Sequence, residues 1–103
     1  MRIRSLKLPE VKEVEDGFAY GCTSLINLEL SKLKEASDYF AGHCTSLINL
    51  HTPKLEKAGY SFASYCTSLF SLELPRLETA GDYFAFNCPS LPKEAIPTCV
   101  SER

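Results

Sequence analysis

The sequence predicts an α/β solenoid of 22-residue coils, with a parallel β-sheet on one face and short helices on the other. Two observations support this prediction. Cys22, Cys44, Cys66 and Cys88 are each 22 residues apart, and a Phe-Ala pair precedes each of them at the same distance. Columns of leucine keep the same phase along the chain without one insertion. A fixed period of this length is typical of stacked coils that share one core.

Length and composition bound the remaining possibilities. The 103 residues predict a single domain over 1–103, with coils that start near residues 3, 25, 47, 69 and 91. A net charge of -2 disfavours the basic face that nucleic acid requires, so no nucleic-acid partner is expected. No apolar run approaches the roughly 20 residues of a membrane-spanning helix, so membrane insertion is not expected either. The start, Met1 to Ser5, lacks the apolar stretch of a secretory signal.

Each coil is predicted to contribute one strand and a shorter, weaker one. Apolar residues alternate at the end of the segment from Leu25 to Leu30, which is the period of a half-buried strand. The chain must turn after it, because proline follows the strand in four of the five coils and cannot donate to a sheet. A second apolar pair, such as Leu33 and Ala36, indicates the weaker strand.

Short helices are predicted where the Phe-Ala pairs occur. Asp16, Asp38 and Asp82 precede the motif Phe-Ala-x-x-Cys, and aspartate is a preferred helix N-cap. Phe40, Cys44 and Leu47 then follow at spacings of four and three, as on one face of a helix. So short a helix is stable only if neighbouring coils pack against it.

The cysteines share the inward phase of the phenylalanine and leucine columns. A ladder of buried, reduced thiols is therefore the preferred interpretation, although the spacing of about 4.8 Å between coils also permits a disulfide. Zinc is disfavoured, because a linear stack cannot surround one ion tetrahedrally. No metal or other cofactor is expected. Cys99, in the column of Leu77, is expected to fill a core position.

No enzymatic activity and no catalytic residue are predicted. The one pair worth testing is His43 beside Cys44. Adjacent residues point in different directions, so His43 is expected at the surface while Cys44 points inward, and the imidazole could not activate the thiol.

Outward positions repeat in columns, and these columns hold the candidate partner-binding residues. The polar sheet face is either a binding surface or merely solvated. An apolar stripe lies one residue after the inward leucines and is either an exposed ridge or part of the core. The polar candidates are Asn27, Glu29, Asn49, His51, Ser71 and Glu73, and the stripe is Ile26, Ile48 and Phe70.

Two further outward sets remain open. Lys32, Lys54 and Arg76 stack three like charges, which either neighbouring glutamates or a bound anion would relieve; neutralisation by Glu35, Glu56 or Glu78 is preferred. Six aromatic residues cluster at the predicted helical corner, where they either stack on a sugar or cover the coil edge. They are Tyr20, Tyr39, Tyr60, Tyr65, Tyr83 and Phe86.

The repeat unit resembles a known class of repeats. From Leu72 to Leu91 the chain reads Leu-x-Leu-Pro-x-Leu-x-x-Ala-x-Asp-Tyr-Phe-Ala-x-x-Cys-x-Ser-Leu, which is similar to the BspA-like leucine-rich repeats of bacterial surface proteins. The resemblance implies a right-handed leucine-rich-repeat solenoid that binds protein or glycan partners without enzymatic activity. It also implies secretion or a cell-surface location and a role in surface adhesion.

Two functions follow from these observations. The first is a recognition module that binds a protein or a glycan. The alternative is a structural spacer or assembly segment of a larger protein or particle. Self-association is expected through the ends of the stack, where Ile3 and Leu6 begin the core, or through the apolar stripe.

Overall fold

The computed structural model describes residues 3–97, 99 and 100 and shows a parallel β-solenoid with a 22-residue repeat. Two four-stranded parallel sheets form two sides of the stack. The first sheet contains β1 (Ser5–Lys7), β3 (Asn27–Glu29), β5 (Asn49–His51) and β7 (Ser71–Glu73). The second contains β2 (Glu13–Val14), β4 (Glu35–Ala36), β6 (Lys57–Ala58) and β8 (Thr79–Ala80).

Both predicted strands are confirmed in the four complete repeats, whereas in the fifth a 3₁₀ turn at Lys93–Ala95 lies where the first strand was predicted. In the first sheet the central leucine of each strand points inward between two more exposed polar residues, as the alternation predicted. The strands of the second sheet are only two residues long, so they are the weaker pair. Each strand of the first three repeats pairs with its equivalent 22 residues later, for example Leu28 with Leu50.

The core is a set of side-chain columns that run along the stack. Leu33, Leu47, Leu55 and Leu69 are fully buried, and the phenylalanine column passes beside them. The ring centroids of Phe40 and Phe62 lie 5.0 Å apart with the planes 6° from parallel. Phe62 and Phe84 repeat that geometry at 5.0 Å and 8°. The core is therefore continuous from one repeat to the next.

The predicted helices at the Phe-Ala segments are wrong, and with them the α/β class. In the described part of the chain the one helical element is a 3₁₀ turn at Lys93–Ala95. Each Phe-Ala segment is instead a series of turns in which every second residue has a positive φ. In the second repeat these residues are Tyr39 at 63°, Ala41 at 54° and His43 at 58°.

Strand spacing explains why a helix does not form. Paired parallel strands hold neighbouring repeats about 4.8 Å apart, whereas α-helices pack about 8–10 Å apart. The turns fit this spacing because they hydrogen-bond directly to both neighbours. Tyr39 N–H donates to the Tyr60 carbonyl at 2.7 Å, and Ala41 N–H donates to the Phe18 carbonyl at 2.8 Å. Ten non-glycine residues of the described part have positive φ, at roughly 1–2 kcal/mol each, and seven of them donate a backbone hydrogen bond to a neighbouring repeat.

Two of the three aspartates expected to cap helices, Asp16 and Asp38, bridge repeats instead. Asp16 Oδ1 accepts a hydrogen bond from the Asp38 backbone N–H at 3.0 Å. Asp38 Oδ1 accepts one from the Tyr60 N–H at 2.8 Å. Each carboxylate thus satisfies an amide one repeat further on, which is the same chemistry as a cap without the helix.

Glycine is required where two repeats meet most closely. A Cβ added to Gly81 would lie 2.9 Å from the carbonyl carbon of Gly59, a distance at which the backbone of one repeat must move. Gly59 likewise faces the backbone carbonyl carbon of Ser37 at 2.9 Å. Both glycines follow the second sheet directly, where the backbones of neighbouring repeats approach each other.

The thiol ladder is found in the middle of the stack but not at its ends. Cys44 and Cys66 are buried, Cys88 is half-buried, and Cys22 and Cys99 are exposed, so the expectation that Cys99 fills the core is wrong. Within the described residues no disulfide joins the cysteines. Each of the inner thiols donates to a carbonyl of the preceding repeat, as in the 3.1 Å contact from Cys66 Sγ to the Ala41 oxygen.

Thiol labelling of the folded protein should therefore separate the cysteines by their rate of reaction. We expect Cys22 and Cys99 to react fast, Cys88 more slowly, and Cys44 and Cys66 only on unfolding, because the thiolate is the reactive form and burial restricts access. Hydrogen bonding with the Cys44 thiol, together with burial, raises the pKa of the Cys66 thiol. Mass spectrometry after a labelling pulse measures each site. Rapid modification of Cys66 in the folded protein would contradict the ladder.

One polar side chain interrupts a leucine column of the core. Thr52 occupies the position of Leu30 and Leu74 in the neighbouring repeats and is fully buried. Its Oγ1 finds no hydrogen-bond partner among the described residues. An unsatisfied buried hydroxyl destabilises the folded state.

Replacing Thr52 by valine should stabilise the fold. Valine keeps the branched shape and removes the unsatisfied hydroxyl, so we expect the free energy of unfolding to rise by about 1 kcal/mol. Urea denaturation of the wild type and of Thr52→Val measures the change. Thr52→Ser is the matched control: it keeps the hydroxyl, loses the methyl group and should be less stable than the wild type. A loss of stability in Thr52→Val would show that the hydroxyl is satisfied.

Candidate functional site

The candidate residues in the first column of the sheet face bond mainly to each other. Asn27 is half-buried and Asn49 and Ser71 are exposed. The Asn27 amide donates to Ser5 Oγ at 3.1 Å, and the Asn49 amide donates to Asn27 Oδ1. This asparagine ladder joins the side chains of the first three repeats. It leaves fewer hydrogen-bonding groups for a ligand than the sequence suggested.

The second column of the same face combines a lysine, two glutamates and a histidine. Lys7, Glu29, His51 and Glu73 lie in register on four successive strands. Opposite charges on neighbouring strands stabilise the pairing, so part of this polarity is explained by the sheet itself. A shallow depression of about 320 Å³ lies over the first three strands of this face.

Two of the three residues in the apolar stripe are exposed. Ile26 is half-buried, whereas Ile48 is 40% exposed and Phe70 is 62% exposed. Their backbones continue the inter-repeat ladder, with the Phe70 N–H donating to the Ile48 carbonyl at 3.0 Å. We refer to Ile48 and Phe70 as the apolar ridge. The ridge is an exposed pair on a rigid backbone.

Seven rings form one continuous surface beside the left-handed turns, which we call the aromatic face. Ring centroids 5.2 Å apart join Tyr20 to His43, and distances of 5.4–5.5 Å join Tyr60 to Tyr39 and Tyr83. Five of the rings are tyrosines, each between 38% and 49% exposed. The members are Tyr20, Tyr39, His43, Tyr60, Tyr65, Tyr83 and Phe86.

The register of the repeat sets how these rings meet. Rings 22 residues apart lie over one another and stack, as His43 and Tyr65 do at 4.6 Å and 19°. Rings that are offset by one position meet edge to face, as Tyr60 does with Tyr39 at 75° and with Tyr83 at 80°. Five of the seven ring contacts in the aromatic face are edge to face, a geometry that the ring quadrupole favours.

His43 is the member of the aromatic face that the sequence did not reveal. It has a positive φ and stacks against Tyr65 at the surface, while the Cys44 thiol is buried and donates to the Ala19 carbonyl at 3.0 Å. The signal was present in its column, since Tyr65 is its equivalent in the next repeat. The predicted surface position of His43 is confirmed, whereas its ring contacts with Tyr20 and Tyr65 were not predicted.

The tyrosine hydroxyls keep the face amphipathic. Partial burial, with the nearby Tyr83, Tyr39 and Asp82, raises the pKa of Tyr60. Its phenol therefore stays protonated at neutral pH and can donate a hydrogen bond. A partner on this face meets apolar ring surface together with hydroxyl groups.

A fourth surface is basic and concave. A depression of about 390 Å³ lies where the first sheet passes into the second, and we call it the basic depression. Among the described residues the one ion pair is Lys32 with Glu10 at 3.1 Å, so the expected neutralisation by Glu35, Glu56 or Glu78 is not observed. The residues lining the depression are Lys12, Glu13, Lys32, Lys34, Glu35 and Lys54.

Comparison with known protein families, with curated proteins and with solved structures gives no match. The described part of the chain contains no cluster of three or more His, Cys, Asp or Glu placed to hold a metal ion. In the same residues no helix is long and apolar enough to cross a membrane.

The apolar ridge can be tested separately from the core. Replacing Ile48 and Phe70 by serine should change the free energy of unfolding by no more than about 0.5 kcal/mol per site, because both side chains are exposed. If the ridge joins two copies, the same variant should lose self-association in sedimentation equilibrium. Leu50→Ser, on the inward side of the same strand, is the control and should cost more than about 2 kcal/mol.

Two results would contradict the ridge as a contact surface. A large loss of stability in the double serine variant would place the two side chains in the core. Unchanged sedimentation with unchanged stability would show that the ridge joins no second copy.

Proposed function

We propose that this chain is a non-enzymatic recognition module that binds a glycan, or else a protein, through its aromatic face. The observation that supports this proposal is the unbroken run of seven rings at the surface. Contiguous exposed apolar surface of this kind marks interaction sites in proteins. The phenylalanine column already fills the core, so the core does not depend on these rings.

A glycan fits the chemistry of this face better than a purely apolar partner does. Sugar rings have apolar C–H faces and a rim of hydroxyls, and the tyrosines offer ring surface together with phenol groups. The edge-to-face contacts also hold each ring in place before binding. Little side-chain entropy is then lost when a ligand is bound.

The repeat period supports an extended ligand. Successive repeats lie about 4.8 Å apart, so equivalent contacts recur along the stack. A polymer lying along the axis would meet several rings in turn, and linked contacts add avidity without any single strong one. The similarity to BspA-like leucine-rich repeats, and the surface adhesion and extracellular location that it implies, agree with this proposal.

The alternative is a structural spacer or assembly segment. One observation favours it: β1 is an edge strand, and the core residues of the first repeat, such as Leu6 and Phe18, are only half-buried. An edge strand of this kind can pair with another chain. Assembly through this end would not depend on the aromatic face, so the two functions predict different effects of the same substitutions.

The aromatic face can be tested with a variant that preserves the turns. Tyr39 and Tyr83 both have a positive φ, and asparagine tolerates that conformation, so Tyr39→Asn with Tyr83→Asn removes two rings and keeps the backbone. On an array of neutral and acidic oligosaccharides the wild-type chain should bind at least one glycan. The double variant should bind that glycan about tenfold more weakly, because two ring contacts of about 0.5–1.5 kcal/mol each are lost.

The Ile48→Ser and Phe70→Ser double variant is the matched control, since it also removes two exposed apolar side chains. It should retain wild-type glycan affinity in calorimetry. Equal weakening of both variants would show that the aromatic face is not the contact surface. Absence of glycan binding by the wild type, with self-association that survives both variants, would favour the spacer.

A further inference from the structure

We propose that the basic depression is a second binding site, for an anionic polysaccharide whose sulfate or carboxylate groups are bound by lysine. The site shares no residue with the aromatic face and does not rest on the function proposed for that face. It is built from two lysine columns, one on each side of the passage from the first sheet to the second. Lys32 and Lys54 form one column, and Lys12 and Lys34 form the other.

Like charges face each other in both columns. Lys12 and Lys34 are neighbours along the stack, where the Lys34 backbone N–H donates to the Lys12 carbonyl at 3.1 Å. Lys32 and Lys54 occupy equivalent positions of adjacent repeats. Like charges on adjacent strands repel, so the folded chain carries a repulsion that a bridging anion would relieve.

The protein's own carboxylates relieve little of this repulsion. Lys32 pairs with Glu10, but both side chains are largely exposed, at 46% and 80%, so the pair is weak. Glu13 and Glu35 line the depression but lie opposite each other in the second sheet, and within the described residues neither forms an ion pair. Four lysines against Glu13, Glu35 and the paired Glu10 leave a net charge of +1 at the site.

The surrounding charge favours a narrow ligand. The whole chain has a net charge of -2, and the neighbouring sheet face presents Glu29 and Glu73. A nucleic acid or an anionic membrane would cover these carboxylates as well as the lysines and would be repelled by them. A single polysaccharide chain can follow the concave surface, and its repeated anionic groups match lysines that repeat along the stack.

The test removes two charges from the depression and compares this with the removal of two charges elsewhere. The site variant is Lys34→Gln with Lys54→Gln, and the control is Lys7→Gln with Lys93→Gln, which has the same net charge. Binding of dextran sulfate and of polygalacturonate is measured by calorimetry near physiological salt. At least one polymer should bind the wild type. Its affinity for the site variant should be about tenfold lower, and its affinity for the control should lie within about twofold of the wild-type value.

Several outcomes would overturn the site. Equal weakening of both variants would mean that only net charge attracts the polymer. Failure of the wild type to bind either polymer, or binding of phosphatidylserine vesicles in their place, would remove the polysaccharide assignment. Inorganic sulfate that binds as tightly as the polymer at equal ionic strength would do the same, because the ligand would then be a single oxyanion. The Tyr39→Asn and Tyr83→Asn variant should keep its affinity for dextran sulfate. A result that contradicts glycan binding by the aromatic face can therefore be distinguished from one that contradicts this site.

Discussion

Parallel strand pairing on two sides of each repeat holds successive repeats about 4.8 Å apart, and the rest of the structure accommodates that spacing. Side chains 22 residues apart must lie over one another, which is why the phenylalanine rings stack nearly parallel at 5.0 Å. Backbones approach so closely after the second sheet that Gly59 and Gly81 have no room for a Cβ. Left-handed turns replace helices on the third side, because their amides bond directly to both neighbours.

The inward positions and both strands could be predicted from the sequence, because a position that points into the core holds an apolar residue in repeat after repeat. The helices could not be predicted correctly from the same pattern. Spacings of four and three, as at Phe40, Cys44 and Leu47, occur both on one face of a helix and in consecutive turns that bury the same side chains. The spacing of the second sheet decides between them, and that is tertiary information.

The outward positions were less predictable, for reasons that differ between surfaces. Ile48 and Phe70 follow inward leucines by one residue, and only the path of the turn before the strand determines that they are exposed. Placing His43 on the aromatic face requires its positive φ. The lysines near Glu35 and Glu56 could have formed ion pairs on sequence grounds, since long side chains reach many positions, and only the packed geometry shows which contact forms.

Departures from strict repetition are what give the surfaces their chemistry. If every ring at the turns occupied one column, the rings would stack face to face as Phe40 and Phe62 do, and each would cover its neighbour. Tyr60 lies one position away from the column of Tyr39 and Tyr83, so it meets both edge to face. Stacked coils constrain the inward columns strongly and the outward ones weakly. A shift of one residue outside the core therefore changes how the rings are presented to a ligand without disturbing the stack that holds them.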